Sequence, residues 1–146
     1  MNTQKIAFLN EGISFFLPYP EQTQDWLIKV IENESSSLGE LTYIFCSDNY
    51  LHKINLEHLK HDTLTDVITF QYSENKAEGD IFISVERTNA NATYYNVDPL
   101  SELYRVMVHG LLHLLGYKDK TPEDKAMMTK KEDFYLDLLN EISSSN

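Results

Sequence analysis

Two imidazoles four residues apart open the stretch HGLLHLLGYKD, His109 to Asp119, and a carboxylate closes it. On a helix, residues at that spacing share one face with Cβ atoms roughly 5–6 Å apart, so both rings can reach one ion at about 2.0–2.1 Å. Gly116 sits where such a helix must stop, because glycine accepts the left-handed backbone that turns a chain back on itself. Asp119 then returns as a third ligand and leaves a coordination position for water, the form of a catalytic rather than a structural site. The competing reading, two histidines packed into an apolar helix, leaves polar rings among leucines without partners, which is costly. The stretch as a whole therefore points to one divalent ion per chain, zinc first, on His109, His113 and Asp119.

The elements that must position these groups follow from periodicity and punctuation. Asp98-Pro99 supplies a cap and a first-turn proline for a long helix running to about Leu115, and Thr121-Pro122-Glu123-Asp124 repeats that start signal for a last helix with Met128, Phe134, Tyr135, Leu138 and Leu139 on its apolar face. Upstream, KIAFLNEGISFF reads as two short strands around a turn at Asn10-Glu11-Gly12. PEQTQDWLIKVIENE places Trp26, Leu27, Val30 and Ile31 on one helical stripe. ELTYIFCS is a strand, DNYLHKINLEHL a helix, and TDVITFQY and GDIFISV two further strands. Glu86 to Asn96 is polar but helical in pattern. The expected fold is α+β: a small mixed β-sheet of three to four strands covered by about five helices, with the metal site on a central helix, in a single domain over residues 1–146.

Composition bounds the class. With 146 residues, 42% hydrophobic and 12% aromatic, the chain can bury a core without disulfides, and its one cysteine, Cys46, has no internal partner. No apolar run approaches the roughly 18–20 residues of a membrane span, and the amino-terminal segment lacks the form of a signal peptide, so a cytoplasmic location is expected and a membrane partner is not. A net charge of -11 disfavours non-specific polyanion binding, and no DNA partner is expected. Lys118, Lys120, Lys125, Lys130 and Lys131 form a local basic cluster beside the motif, read as a solvated helix face.

The chain resembles the bacterial YbeY family of rRNA maturation factors. The signature, approximately H-G-x-L-H-L-x-G-Y-D-H, is met by His109, Gly110, Leu112, His113, Leu114, Gly116 and Tyr117, and the family's T-D-V-L-S-F and L-G-D-I segments appear as TDVITF from Thr65 and EGDIFIS from Glu78. The resemblance implies a zinc-dependent, single-strand-specific endoribonuclease acting on rRNA, with ribosomal particles as partners. There are two departures. The family's last histidine is Asp119 here, with Lys118 before it, and a carboxylate ligand acidifies bound water less than a third imidazole would. An arginine that the family carries six residues before its Thr-Asp, held to contact substrate phosphate, falls at Leu59. Lys60, His61 and Arg105 are candidates to replace it, and Arg105, one turn before His109, is best placed. An ion pair between Arg105 and Glu102 or a neighbouring acid is the alternative, and His58 and His61 can equally be surface residues.

An ion on these ligands would polarise a phosphodiester and lower the pKa of its water from about 15.7 toward about 7. Asp66 is a candidate acid or base, although Thr65-Asp66 also suits a loop fixed by side-chain to backbone hydrogen bonds. Three rivals stand beside hydrolysis of RNA. A zinc metallopeptidase shares the ligand spacing but has glutamate where Gly110 lies. A non-catalytic, metal-stabilised ribosome assembly factor suits the acidic charge and the missing arginine. A two-histidine, one-carboxylate iron oxygenase shares ligand types without any further sign of its architecture.

Overall fold

The computed structural model describes residues 6–60 and 64–144. Four strands and five helices follow in the order β1 (Ala7–Glu11), α1 (Pro20–Asn33), β2 (Leu38–Cys46), α2 (Asp48–Leu59), β3 (Val67–Gln71), β4 (Ala77–Ser84), α3 (Val85–Tyr95), α4 (Pro99–Leu114) and α5 (Pro122–Ser144). The strands form one mixed sheet in the order β1-β2-β4-β3, with β1 and β4 parallel to β2 and β3 antiparallel to β4. The expected α+β arrangement is thus present.

Alternation sorts the side chains of the sheet. Leu41, Tyr43 and Phe45 of β2 and Ala77, Ile81 and Ile83 of β4 are buried in the main core together with residues of α1, α4 and α5. The opposite parity supplies a smaller cluster, in which Cys46 and Ile68 meet Leu51 of α2, flanked by Phe70 and Phe82. α4 is buried on most sides, with Met107, Val108, Leu111 and Leu112 at 0% exposure, so its two histidines are held by rigid surroundings.

The second amino-terminal strand does not form: only Ala7–Glu11 is a strand, paired in parallel with β2. Residues after the turn are apolar because they cover the core rather than because they pair. Phe15 packs its ring 5.0 Å from that of Phe45, and Asn10 Nδ2 donates to Phe15 O at 2.7 Å.

Both helix starts flanking the motif are capped as their sequences suggest. Asp98 accepts from Leu100 N and Ser101 N at 3.1 and 3.2 Å, and Thr121 Oγ1 accepts from Asp124 N at 3.0 Å. At Gly110, α4 lies so close to the sheet that an added Cβ would stand 2.8 Å from Ile81 Cγ2. The residue after His109 therefore has no space for a side chain, least of all a glutamate. No described helix is long and apolar enough to cross a membrane.

Candidate metal centre

α4 ends in a Schellman turn, with Tyr117 N donating to Leu112 O and Gly116 N to His113 O, both at 3.0 Å. Gly116 adopts φ 106°, the left-handed conformation that a side chain would resist. That reversal brings Asp119 back over the helix it has just left, and Asp119 Oδ2 lies 3.4 Å from the Nε2 atoms of both His109 and His113. The two Nε2 atoms are 3.0 Å apart. The three expected ligands therefore converge, and among the described residues they are the only such group.

The far side of each ring decides what the near side can do. His109 Nδ1 is 2.6 Å from Glu132 Oε2, and His113 Nδ1 is 3.0 Å from the backbone oxygen of Tyr117. Both partners are acceptors, so both Nδ1 atoms carry hydrogen and, in the neutral rings, both Nε2 lone pairs point into the space shared with the Asp119 carboxylate. Three electron-pair donors facing one another is unfavourable unless a cation lies among them, so the donor set fits a divalent ion with imidazoles oriented by outer partners. Burial opposes charging His109, but the hydrogen bond and charge of Glu132, with Asp119 and Asp66, outweigh it and raise the imidazole's pKa above the usual value.

Two outer networks brace these three side chains. Arg105 donates to Glu132 Oε1 at 2.8 Å and to Asp133 Oδ1 at 2.7 Å, so the ion pair forms with α5 rather than with Glu102. On the other side Glu34, at the end of α1, accepts from Tyr117 Oη at 2.6 Å, from Lys131 Nζ at 3.0 Å and from Tyr135 Oη. Burial raises the Glu34 carboxyl, yet these three donors prevail and hold it below its usual value of 4.5. Lys118, Lys120, Lys125 and Lys130 are exposed as expected of a solvated face, whereas Lys131 belongs to this network.

The centre lies where two depressions meet, both lined by Asp66, His109 and Asp119. One extends along Asn55, Leu59 and Leu64 toward the end of α2; the other runs between α3, α4 and α5 past Arg105 and Glu132. Asp66 accepts from Asn91 Nδ2 at 3.1 Å, and its own loop is tied down by Ser84 N donating to Asp66 O at 3.0 Å. Burial pushes the Asp66 carboxyl upward against the charge of His109 and backbone hydrogen bonds from Asp66 and Val67. His58 sets its ring edge-on to Phe70, at 6.0 Å, and Lys60 is the left-handed cap of α2. His61 lies outside the described residues.

Glu132 was not identifiable beforehand. It stands 23 residues after His109 on a helix with several acids, and only the packing of α5 against α4 selects it.

A mixed sheet packed against a buried helix with two imidazoles, and a carboxylate on the turn behind that helix, define an α+β domain with one group of side chains that could hold a metal ion. Comparison with known proteins narrows the class. The family described as Endoribonuclease YbeY matches residues 15–140. The Endoribonuclease YbeY of Amoebophilus asiaticus is 51% identical over 144 residues, covering 97% of each chain, and that of Flavobacterium johnsoniae is 51% identical over 125 residues, 85% of this chain and 90% of the relative. The solution structure of TM1509 from Thermotoga maritima superposes with a TM-score of 0.69 at 25% identity, covering 96% of this chain and 93% of that one. The chain belongs to the YbeY family.

Proposed function

We propose that the chain is a metal-dependent endoribonuclease that hydrolyses single-stranded RNA during rRNA maturation and ribosome quality control, with zinc as its ion and ribosomal particles as its setting in the cytoplasm. The observation that carries this reading is the convergence of His109 Nε2, His113 Nε2 and Asp119 Oδ2 beside open depressions, in a chain whose relatives are named endoribonucleases. A divalent ion on those ligands would supply Lewis-acid activation of water and of a phosphodiester oxygen. Glu132 and the Tyr117 carbonyl keep both Nε2 atoms directed at that position. Asp66, raised by burial and lining both depressions, is proposed as the group that exchanges a proton with the attacking water or the leaving oxygen.

Leu59 lines one depression where the family's arginine would stand, and Arg105 lines the other. Arg105 is proposed to offset phosphate charge from there while it also braces Glu132. The relatives' names favour hydrolysis over a purely structural assembly role, and the close packing of Gly110 on Ile81 speaks against a peptidase glutamate at that position. A direct test is cleavage of matched single- and double-stranded RNA by the metal-loaded protein. Metal-dependent cleavage of the single strand is expected; protein that carries the ion and cleaves neither would overturn the reading. Asp119→His should keep the ion, because the substituted ring can reach the same position.

A further inference from the structure

The depression between α3, α4 and α5 is a cavity of about 540 Å³, within the range of roughly 300–1,000 Å³ typical of small-molecule sites. It shares His109 and Asp119 with the metal centre, so a ligand seated in it would touch whatever lies over those residues. Glu102 lines this cavity at 8% exposure and takes no side-chain hydrogen bond from another described residue, although burial and the neighbouring Asp66 charge raise its carboxyl. Arg105, the cation nearest in sequence, spends its N–H groups on Glu132 and Asp133 instead. Its carboxylate oxygens keep access to the cavity and have no donor among the described residues, so a ligand that brings N–H groups can take the place of water on them.

The walls indicate the shape of that ligand. Tyr95 stands at the rim with 62% of its surface exposed, its ring edge-on to Tyr94 at 5.1 Å, and Val97 and Val106 add apolar surface. A second metal ion fits poorly. The oxygens of Asp66, Glu102 and Glu132 do not converge as a ligand set, and the Arg105 charge lines the same space. A free anion filling the cavity would face four carboxylates, Asp66, Glu102, Asp119 and Glu132, with Arg105 as the one arginine or lysine in the lining. A neutral aromatic plane edged with N–H donors meets every wall with the right chemistry.

We propose that this cavity is a nucleobase subsite that selects guanine, with Tyr95 stacking on the base and the Glu102 carboxylate accepting from its N1–H and N2–H. The proposal rests on the RNA reading above for the identity of the strand and adds which base it presents beside the metal centre. Guanine sets two donors side by side to match two carboxylate oxygens, whereas adenine, cytosine and uracil each lack that pair. The same edge is consumed in a base pair, so the subsite admits only an unpaired nucleotide and supplies a physical source for single-strand selectivity.

Nuclear magnetic resonance titration of the metal-loaded protein with guanosine, inosine and uridine 5′-monophosphates tests this apart from cleavage, because none contains an internucleotide bond and all share the phosphate. Shifts at Asn91, Tyr95 and Glu102 are expected, with guanosine monophosphate bound about tenfold more tightly than uridine monophosphate and inosine monophosphate, which lacks N2–H, in between. Glu102→Gln should erase the order of preference, and Tyr95→Ala should weaken all three by about tenfold, the scale of losing one stacked base. Equal affinities for the three nucleotides, no shifts at these residues, or a preference that survives Glu102→Gln would overturn the subsite. If guanosine is preferred but no RNA is cut, the nuclease reading fails and the subsite stands. If RNA is cut with none of these shifts, the subsite alone fails.

Discussion

Adjacent residues of α5 serve two different networks. Glu132 faces α4, where it joins Arg105 to the His109 ring; Lys131 faces α1, where it donates to Glu34, which also accepts from Tyr117 and Tyr135. The first network ends on an imidazole nitrogen and so acts on the charge and tautomer of a ligand. The second ends on Tyr117, which lies in the turn that returns Asp119 and whose backbone oxygen faces His113 Nδ1. Neighbouring residues of α5 thus reach the same candidate centre by different groups, a carboxylate placed directly on His109 on one side and an anchor for the Tyr117 turn on the other.

Substituting the proposed ligands gives the largest effect and treats both sides alike. His109→Ala or His113→Ala should abolish tight metal binding in calorimetric titration, and full occupancy in the double variant would refute the assignment. Glu132→Gln comes next. Removing the negative acceptor from His109 should weaken metal affinity by about 10–100-fold and, because Glu132 is buried against Arg105, also destabilise the metal-free protein by about 1–3 kcal/mol. Arg105→Ala should lower RNA cleavage by about one to two orders of magnitude with the ion retained, as expected for loss of one cationic donor. Unchanged cleavage would leave Arg105 as a brace for Glu132 alone.

Glu34→Gln should cost a similar amount, about 1–3 kcal/mol in urea denaturation near neutral pH, but leave metal affinity within about threefold of the parent. The pH dependence fixes the sign. The folded value of Glu34 is depressed below 4.5, so its contribution is complete above 4.5 and declines as pH falls through the folded value. The stability gap between parent and Gln variant should therefore close on acidification. A gap that stays constant down to acid pH would show that the charge of Glu34 is not what its three donors recognise.

Much of the centre was legible because its logic is local. Two histidines on one helix face, a glycine stop and a returning carboxylate all lie within His109 to Asp119, and Asp48–Leu59 was bounded as its pattern implied. What was illegible depends on contacts between distant elements. Arg105 has Glu102 three residues before it, yet the structure turns Glu102 into a cavity and pairs Arg105 with two acids of α5. Ile13 and Phe15 carry a strand-like alternation that the fold uses to cover a core edge. Glu34 is one of 23 acidic residues, and nothing in its neighbourhood in sequence marks it as the acceptor for a tyrosine 83 positions away.

On the reading proposed above, His109, His113 and Asp119 hold one divalent ion on which cleavage of single-stranded RNA depends. Stripping the purified protein with chelator, assaying cleavage, and repeating the assay after restoring one equivalent of zinc tests it directly. Loss of cleavage in the stripped protein and recovery at one ion per chain is the predicted result. Cleavage that persists unchanged in protein shown by elemental analysis to be metal-free would contradict it.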